Sequence, residues 1–133
     1  MATTDVETTD YCSGRDWNVV ALKTSEKSKQ EAFRALGSEK KRTQAEASLK
    51  DKFTRLAKGT QLPEEMWHAA FTEGDVTVWR MRKGELRAYA WKSVRLKGTI
   101  VICMYVYKKS RATLHQDKIM AMYRRFEQKE EKK

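Results

Sequence analysis

A chain of 133 residues, 40% hydrophobic and 35% charged, is the size of one domain and can bury a core without metal or disulfide staples. Its formal charge of +10 and pI of about 9.7 point to a polyanionic partner, either nucleic acid or an acidic protein. Three classes are excluded: no apolar run approaches the roughly 18 residues of a membrane span, the acidic, Thr-rich start is no signal peptide, and Cys12, Cys103, His68 and His115 have no zinc-ligand spacing. The expectation is a cytoplasmic protein with reduced cysteines, no metal and no cofactor.

Residues 1–15 show no hydrophobic period and are expected to form a flexible tail. Residues 17–22, WNVVAL, predict a first strand. Ser25 can cap a helix whose apolar positions are Ala32, Phe33 and Leu36, and Gly37 closes it. Ser38 opens a second helix with a stripe of Ala45, Leu49, Phe53 and Leu56, ending at Gly59. Residues 61–73 hold the only proline, Pro63, and read as a connecting segment with one helical turn. From Asp75 the period changes to two. Strands are expected over 76–81, 86–92 and 99–107, with a turn at 83–85 and a basic loop at 94–98. The run TIVICMYVY is the most apolar and is placed centrally. A last helix spans 116–128, with Ile119, Met122, Tyr123 and Phe126 on one side, and 129–133 fray. The order β-α-α-β-β-β-α gives an α+β fold, a single domain over 16–128. Its small sheet is rich in antiparallel pairs, with helices packed on one face.

The charge sits in this sheet. Residues 76–111 hold ten basic side chains and one acid, Glu85, a balance of +9 out of +10. Strand alternation puts Arg80 with Val76 and Val78, and Arg87 with Tyr89 and Trp91. It puts Tyr105 and Tyr107 with Val101 and Cys103, leading into Lys108 and Lys109. Such a face can hold phosphates and stack bases; the plainer alternative is a solvated sheet face over an aromatic core. Trp17 and Trp79 read as core, and Trp91 stays open between core and base stacking.

The run VTVWRMRKGELRAYAWKS…TIVICMYVYKKSRATLHQDKIMAMYRRF resembles the C-terminal half of RelE/ParE-superfamily toxins, nearest their phage-derived HigB-like branch. The leading strand, the two helices and LAKGTQLP fit the same plan, so the likeness covers about residues 17–128. It implies a RelE-like fold and metal-independent cleavage of mRNA, usually on the ribosome, by the toxin of a type II toxin–antitoxin pair held inactive by an acidic antitoxin. Carried over by position, the catalytic residues are Arg80, Arg87 and Lys109, with His115 beside them as a proton-transfer candidate; read from the basic, aromatic face, Lys92, Lys108, Tyr105, Tyr107 and Arg111 would bind RNA. Two positions depart from the family. His115 stands where RelE-like members have a tyrosine, and Met104 where HigB-like members often have a histidine. The general base is therefore left open.

The chemistry implied is attack of a ribose 2′-OH on the adjacent phosphate, with arginines and lysines stabilising the charge gained by phosphate oxygens. His115 can move a proton near neutrality; its plainer reading is a surface histidine at a helix start. Two alternatives use the same fold: a ParE-like inhibitor that binds DNA gyrase, and a non-catalytic RNA- or DNA-binding module.

Overall fold

The computed structural model describes residues 7–107 and 115–128. Among them lie six strands and three helices: β1 (Thr8–Ser13), β2 (Asn18–Leu22), α1 (Ser25–Arg34), α2 (Glu39–Ala57), β3 (Trp67–Glu73), β4 (Val76–Lys83), β5 (Leu86–Lys92), β6 (Thr99–Tyr107) and α3 (Gln116–Glu127). The fold is α+β. One mixed sheet has the order β1-β2-β6-β5-β4-β3, in which β2 and β6 run parallel and every other pair is antiparallel. No helix among the described residues is long and apolar enough to cross a membrane.

The helices do not share one face, as the sequence led us to expect. α1 and α2 pack on one side, where Phe33, Leu49 and Phe53 meet Val19, Met81, Ala88 and Ile102. α3 packs on the other, where Ile119, Met122 and Phe126 meet Tyr89, Trp91, Val101 and Cys103. The reason lies in β5 and β6. Every residue of β5 from Leu86 to Trp91 is buried, as is every residue of β6 from Thr99 to Tyr105. Strands buried on both sides need cover on both sides.

Two strands stand where the sequence showed no strand pattern. β1 occupies part of the expected tail and pairs with β2, with a bulge at Tyr11. Only Tyr11 and Cys12 of this edge strand reach the core, Tyr11 meeting Phe53 edge-on at 5.6 Å, so polar residues hide its period. β3 lies in the expected connecting segment and forms the other edge. A bulge at Ala70 breaks its alternation. The single turn foreseen there survives at Pro63, whose carbonyl accepts from the amides of Met66 and Trp67.

The helix signals are mostly where they were read. Ser38 caps α2 by accepting from the Lys41 amide at 3.2 Å, and the buried stripe is Ala45, Leu49, Phe53 and Ala57. At α1 the N-cap is Thr24, one residue early; the Ser25 hydroxyl instead donates to the Leu22 carbonyl at 2.7 Å. The β1–β2 turn docks on the end of α2, where the Ala57 carbonyl accepts from the amides of Asp16 and Trp17 at 2.8 and 3.1 Å. A Cβ on Gly14 would lie 2.6 Å from the Ala57 carbonyl carbon, which is backbone and cannot swing aside. Gly14→Ala is therefore expected to cost about 2–3 kcal/mol, as overpacking does, read as a lower urea midpoint. An unchanged midpoint would show that the turn does not dock there.

α3 is fastened at its C-terminal end. The Glu127 carboxylate accepts from the Trp91 indole N–H at 2.8 Å, the Ser93 hydroxyl at 3.1 Å, and the backbone amides of Val94 and Arg95 at 2.9 Å each. Arg95 adds a bond from Nε to the Phe126 carbonyl at 2.7 Å, with its guanidinium 4.3 Å from the Phe126 ring centroid. The basic loop after β5 is thus held to the helix as one rigid corner.

Candidate nucleic-acid interface

The strand pairing aligns five side-chain positions on the α3 side of the sheet. His68 of β3 stands opposite Arg80 of β4, and Arg80 opposite Tyr89 of β5. The next row toward the β4–β5 turn pairs Arg82 with Arg87. Directly opposed residues share a face with Cβ atoms about 5 Å apart, so three arginines crowd into two rows. His115, the residue before α3, closes the group: its ring centroid is 6.1 Å from that of Tyr89.

The three arginines are held differently. Arg87 is only 2% exposed, and its Nη1 donates to the Gly84 carbonyl at 2.6 Å and the Leu86 carbonyl at 3.2 Å. Arg82 Nε reaches the same Gly84 carbonyl at 3.4 Å. The turn that presents this carbonyl needs Gly84 at φ +58°, a left-handed conformation that suits glycine. Arg80 is half-buried, and its Nε is buried with no hydrogen-bond partner. No described carboxylate lies within ion-pair distance of Arg80, Arg82 or Arg87.

Like charges opposed across a ladder repel, and the guanidinium pKa values shift accordingly. Burial, then the charges of Arg80 and Arg82, push the Arg87 guanidinium below its ordinary range. Burial first, with a lesser contribution from Arg82, does the same to Arg80. Both stay protonated, since free guanidinium lies so far above neutrality. An anion between the rows would relieve the repulsion and accept from the unengaged guanidinium nitrogens. Burial raises the Tyr89 phenol, against the pull of Arg80 and Arg87. Tyr89 is 1% exposed and so backs the arginines rather than meeting a ligand.

His115 is partly buried, and burial together with the Lys118 ammonium one turn along α3 holds it below the ordinary 6.5. It is neutral at physiological pH and so can accept a proton. The folded protein resists this protonation while the unfolded chain does not, so the group lowers stability as pH falls through 6.5. An NMR titration should give a His115 half-point below 6.5. Lys118→Gln should raise it part of the way back, leaving the part due to burial. A half-point at or above 6.5 in the wild type would contradict the burial.

The structure thus brings together Arg80, Arg87 and His115 of the expected catalytic set. Lys109, Lys108 and Arg111 lie outside the described residues. Tyr105, Tyr107 and Lys92 are on the opposite side of the sheet. The reading of β6 as an unbroken alternation is corrected by a bulge: Tyr89 pairs with Met104 but Ala90 with Ile102, leaving Cys103 as the extra residue. Beyond it the faces swap, and Tyr105 and Tyr107 join the side of Ile100 and Ile102. Tyr105 is core, 3% exposed and edge-on to Phe33 at 6.1 Å. Lys92 is exposed and places its ammonium 4.5 Å from the Trp79 ring centroid and 5.3 Å from that of Trp17. Trp91 is fully buried, which settles it as core.

No protein-family model, curated protein or solved structure matches the chain.

Arg82, Tyr89 and His68 join the site without having been assigned a role from the sequence. For Arg82 the signal was there, because it lies two residues beyond Arg80 on the same strand and so on the same face. Tyr89 was placed beside Arg87 by the same rule. His68 gave no signal, because its strand was hidden by the bulge at Ala70.

Proposed function

We propose that the chain is an RNA-cleaving toxin of the RelE type, acting on mRNA in the cytoplasm and restrained by an acidic partner protein. The observation that carries this reading is the pair of rows Arg80–Tyr89 and Arg82–Arg87, three arginines on one sheet face with no described acid in ion-pair reach and a neutral histidine at the edge. A phosphodiester placed there meets fixed positive charge on its non-bridging oxygens. The ribose 2′-oxygen attacks phosphorus as the bond to the 5′-oxygen breaks, leaving a 2′,3′-cyclic phosphate and a 5′-hydroxyl. His115 takes the 2′-OH proton, and water gives a proton to the departing 5′-oxygen. Arg80 and Arg82 stabilise the charge that grows on phosphate, and Arg87 adds its charge from beneath. The same face suits the acidic segment of a restraining partner, which would cover it in place of RNA.

The test is to induce the wild type and an Arg80→Ala/Arg82→Ala variant in bacteria, following growth and mapping new 5′ ends on mRNA. Growth arrest with new cuts, both absent in a folded variant, is the expected result. Arrest with intact mRNA would overturn it in favour of a gyrase-binding relative. Normal growth with intact mRNA would leave a basic binding module.

A further inference from the structure

Beside the arginine rows, across β6, a cavity of about 340 Å³ opens between α1 and α3. Lys27 of α1 and Lys118 and Arg125 of α3 line it, with Glu31 as the one acid among the described residues. Lys27 and Lys118 are exposed, and neither side chain has a hydrogen bond or ion pair with a described residue. Thr24 also lines the cavity, and its hydroxyl oxygen is buried without a hydrogen-bond partner. The two lysines, with Arg125 beside them, draw positive charge from two helices into a lining suited to a tetrahedral oxyanion.

The position of the cavity says which oxyanion. Met104 forms part of its wall and stands opposite Tyr89, which stands opposite Arg80. Lys118 follows His115 by three residues, one helical turn. The cationic surface therefore runs from Arg82 and Arg80 past His115 to Lys118 and Lys27. Two strand spacings, about 10 Å, separate the backbones of Arg80 and Met104, so one phosphate cannot touch both ends.

We propose that this cavity binds a second phosphate of the same RNA strand, so that the substrate is a single strand several nucleotides long rather than one exposed phosphodiester. The proposal rests on the RNA reading of the arginine rows. It is tested with the full chain and an uncleavable 2′-O-methyl octaribonucleotide, measuring affinity by fluorescence anisotropy across a salt series. Lys27→Ala/Lys118→Ala is compared with Lys40→Ala/Lys41→Ala, which removes equal charge from the exposed start of α2. All four lysines are exposed, and circular dichroism checks that both variants fold.

The expected result is an affinity about tenfold lower for Lys27→Ala/Lys118→Ala and a salt slope smaller by roughly 1–1.5, the value for two lost contacts to a single strand. Lys40→Ala/Lys41→Ala should leave the slope as it is. Equal losses in both variants would reduce the effect to net charge and overturn the proposal. So would an unchanged Lys27→Ala/Lys118→Ala slope, and if Arg80→Ala still weakened binding, the RNA reading would survive that failure. A wild type that ignores the octamer would sink both. If it instead bound a polyglutamate peptide through Lys27 and Lys118, the cavity would belong to an acidic protein.

Discussion

Replacing Arg80 with alanine is expected to lower RNA cleavage by roughly 10²–10³-fold, the cost of removing one fixed donor to a developing oxyanion, while changing stability by less than about 1 kcal/mol. The two effects separate because of how the side chain is held. Arg80 has a buried Nε with no partner and two like charges for neighbours, so the fold gains little from its polar end. Leaving such a donor unmade costs about 1–3 kcal/mol, and the truncation removes that cost along with the stem's packing. Arg87→Ala should behave in the opposite proportion. Its guanidinium satisfies the Gly84 and Leu86 carbonyls from a nearly inaccessible position. Its loss should destabilise by about 2–3 kcal/mol and lower activity partly by loosening the turn. Urea denaturation beside a single-turnover cleavage assay distinguishes the two residues. An Arg80→Ala protein that cuts RNA at the wild-type rate would remove the arginine rows from the mechanism.

The largest effect on stability is expected at Glu127. One carboxylate accepts four hydrogen bonds, from the Trp91 indole, the Ser93 hydroxyl and two backbone amides, which fills its acceptor capacity. Glu127→Ala strands the indole N–H of a fully buried tryptophan and unpins the loop from α3. A loss of about 3–4 kcal/mol follows from bonds to a charged acceptor of about 1.5–3 each, taken as far from additive. That corresponds to roughly 10–15 °C in Tm for a domain of this size. Glu127→Gln should recover only part of it. An amide oxygen turned to the Val94 and Arg95 amides leaves its NH2 facing the indole N–H, a donor against a donor. Equal stability of the Gln variant and the wild type would mean that the charge contributes nothing to the clamp.

How much was legible in the sequence depended on whether a segment's period was intact. α2 and β4 to β6 were read close to their true bounds, because caps and long apolar runs are local signals. β1 and β3 were missed because each is an edge strand broken by a bulge, so that Tyr11 and Ala70 disturb the count of two that marks a strand. One extra residue at Cys103 also carried Tyr105 and Tyr107 from the expected RNA face into and against the core. No composition signal marks a bulge inside an all-apolar run. Helices on both faces were not expected, although the strands held the reason. LRAYAW and TIVICMY leave too few polar positions for a strand with one wet side. In the site, Arg80 and Arg87 came from strand alternation and resemblance together. The contrast between a buried, satisfied Arg87 and an Arg80 with an unpaired Nε comes from the turn carbonyl that one reaches and the other does not.

The parallel pairing of β2 with β6 sets a clock on synthesis. Asn18 is hydrogen-bonded into the sheet alongside Thr99, a partner made 81 residues later. β5 needs β6 beside it, and His115 stands at the start of α3, so the proposed phosphate-binding face is complete only once α3 has formed. Pairings this distant along the chain form late. The proposed RNA-cleaving face would thereby stay inactive until α3 has been made.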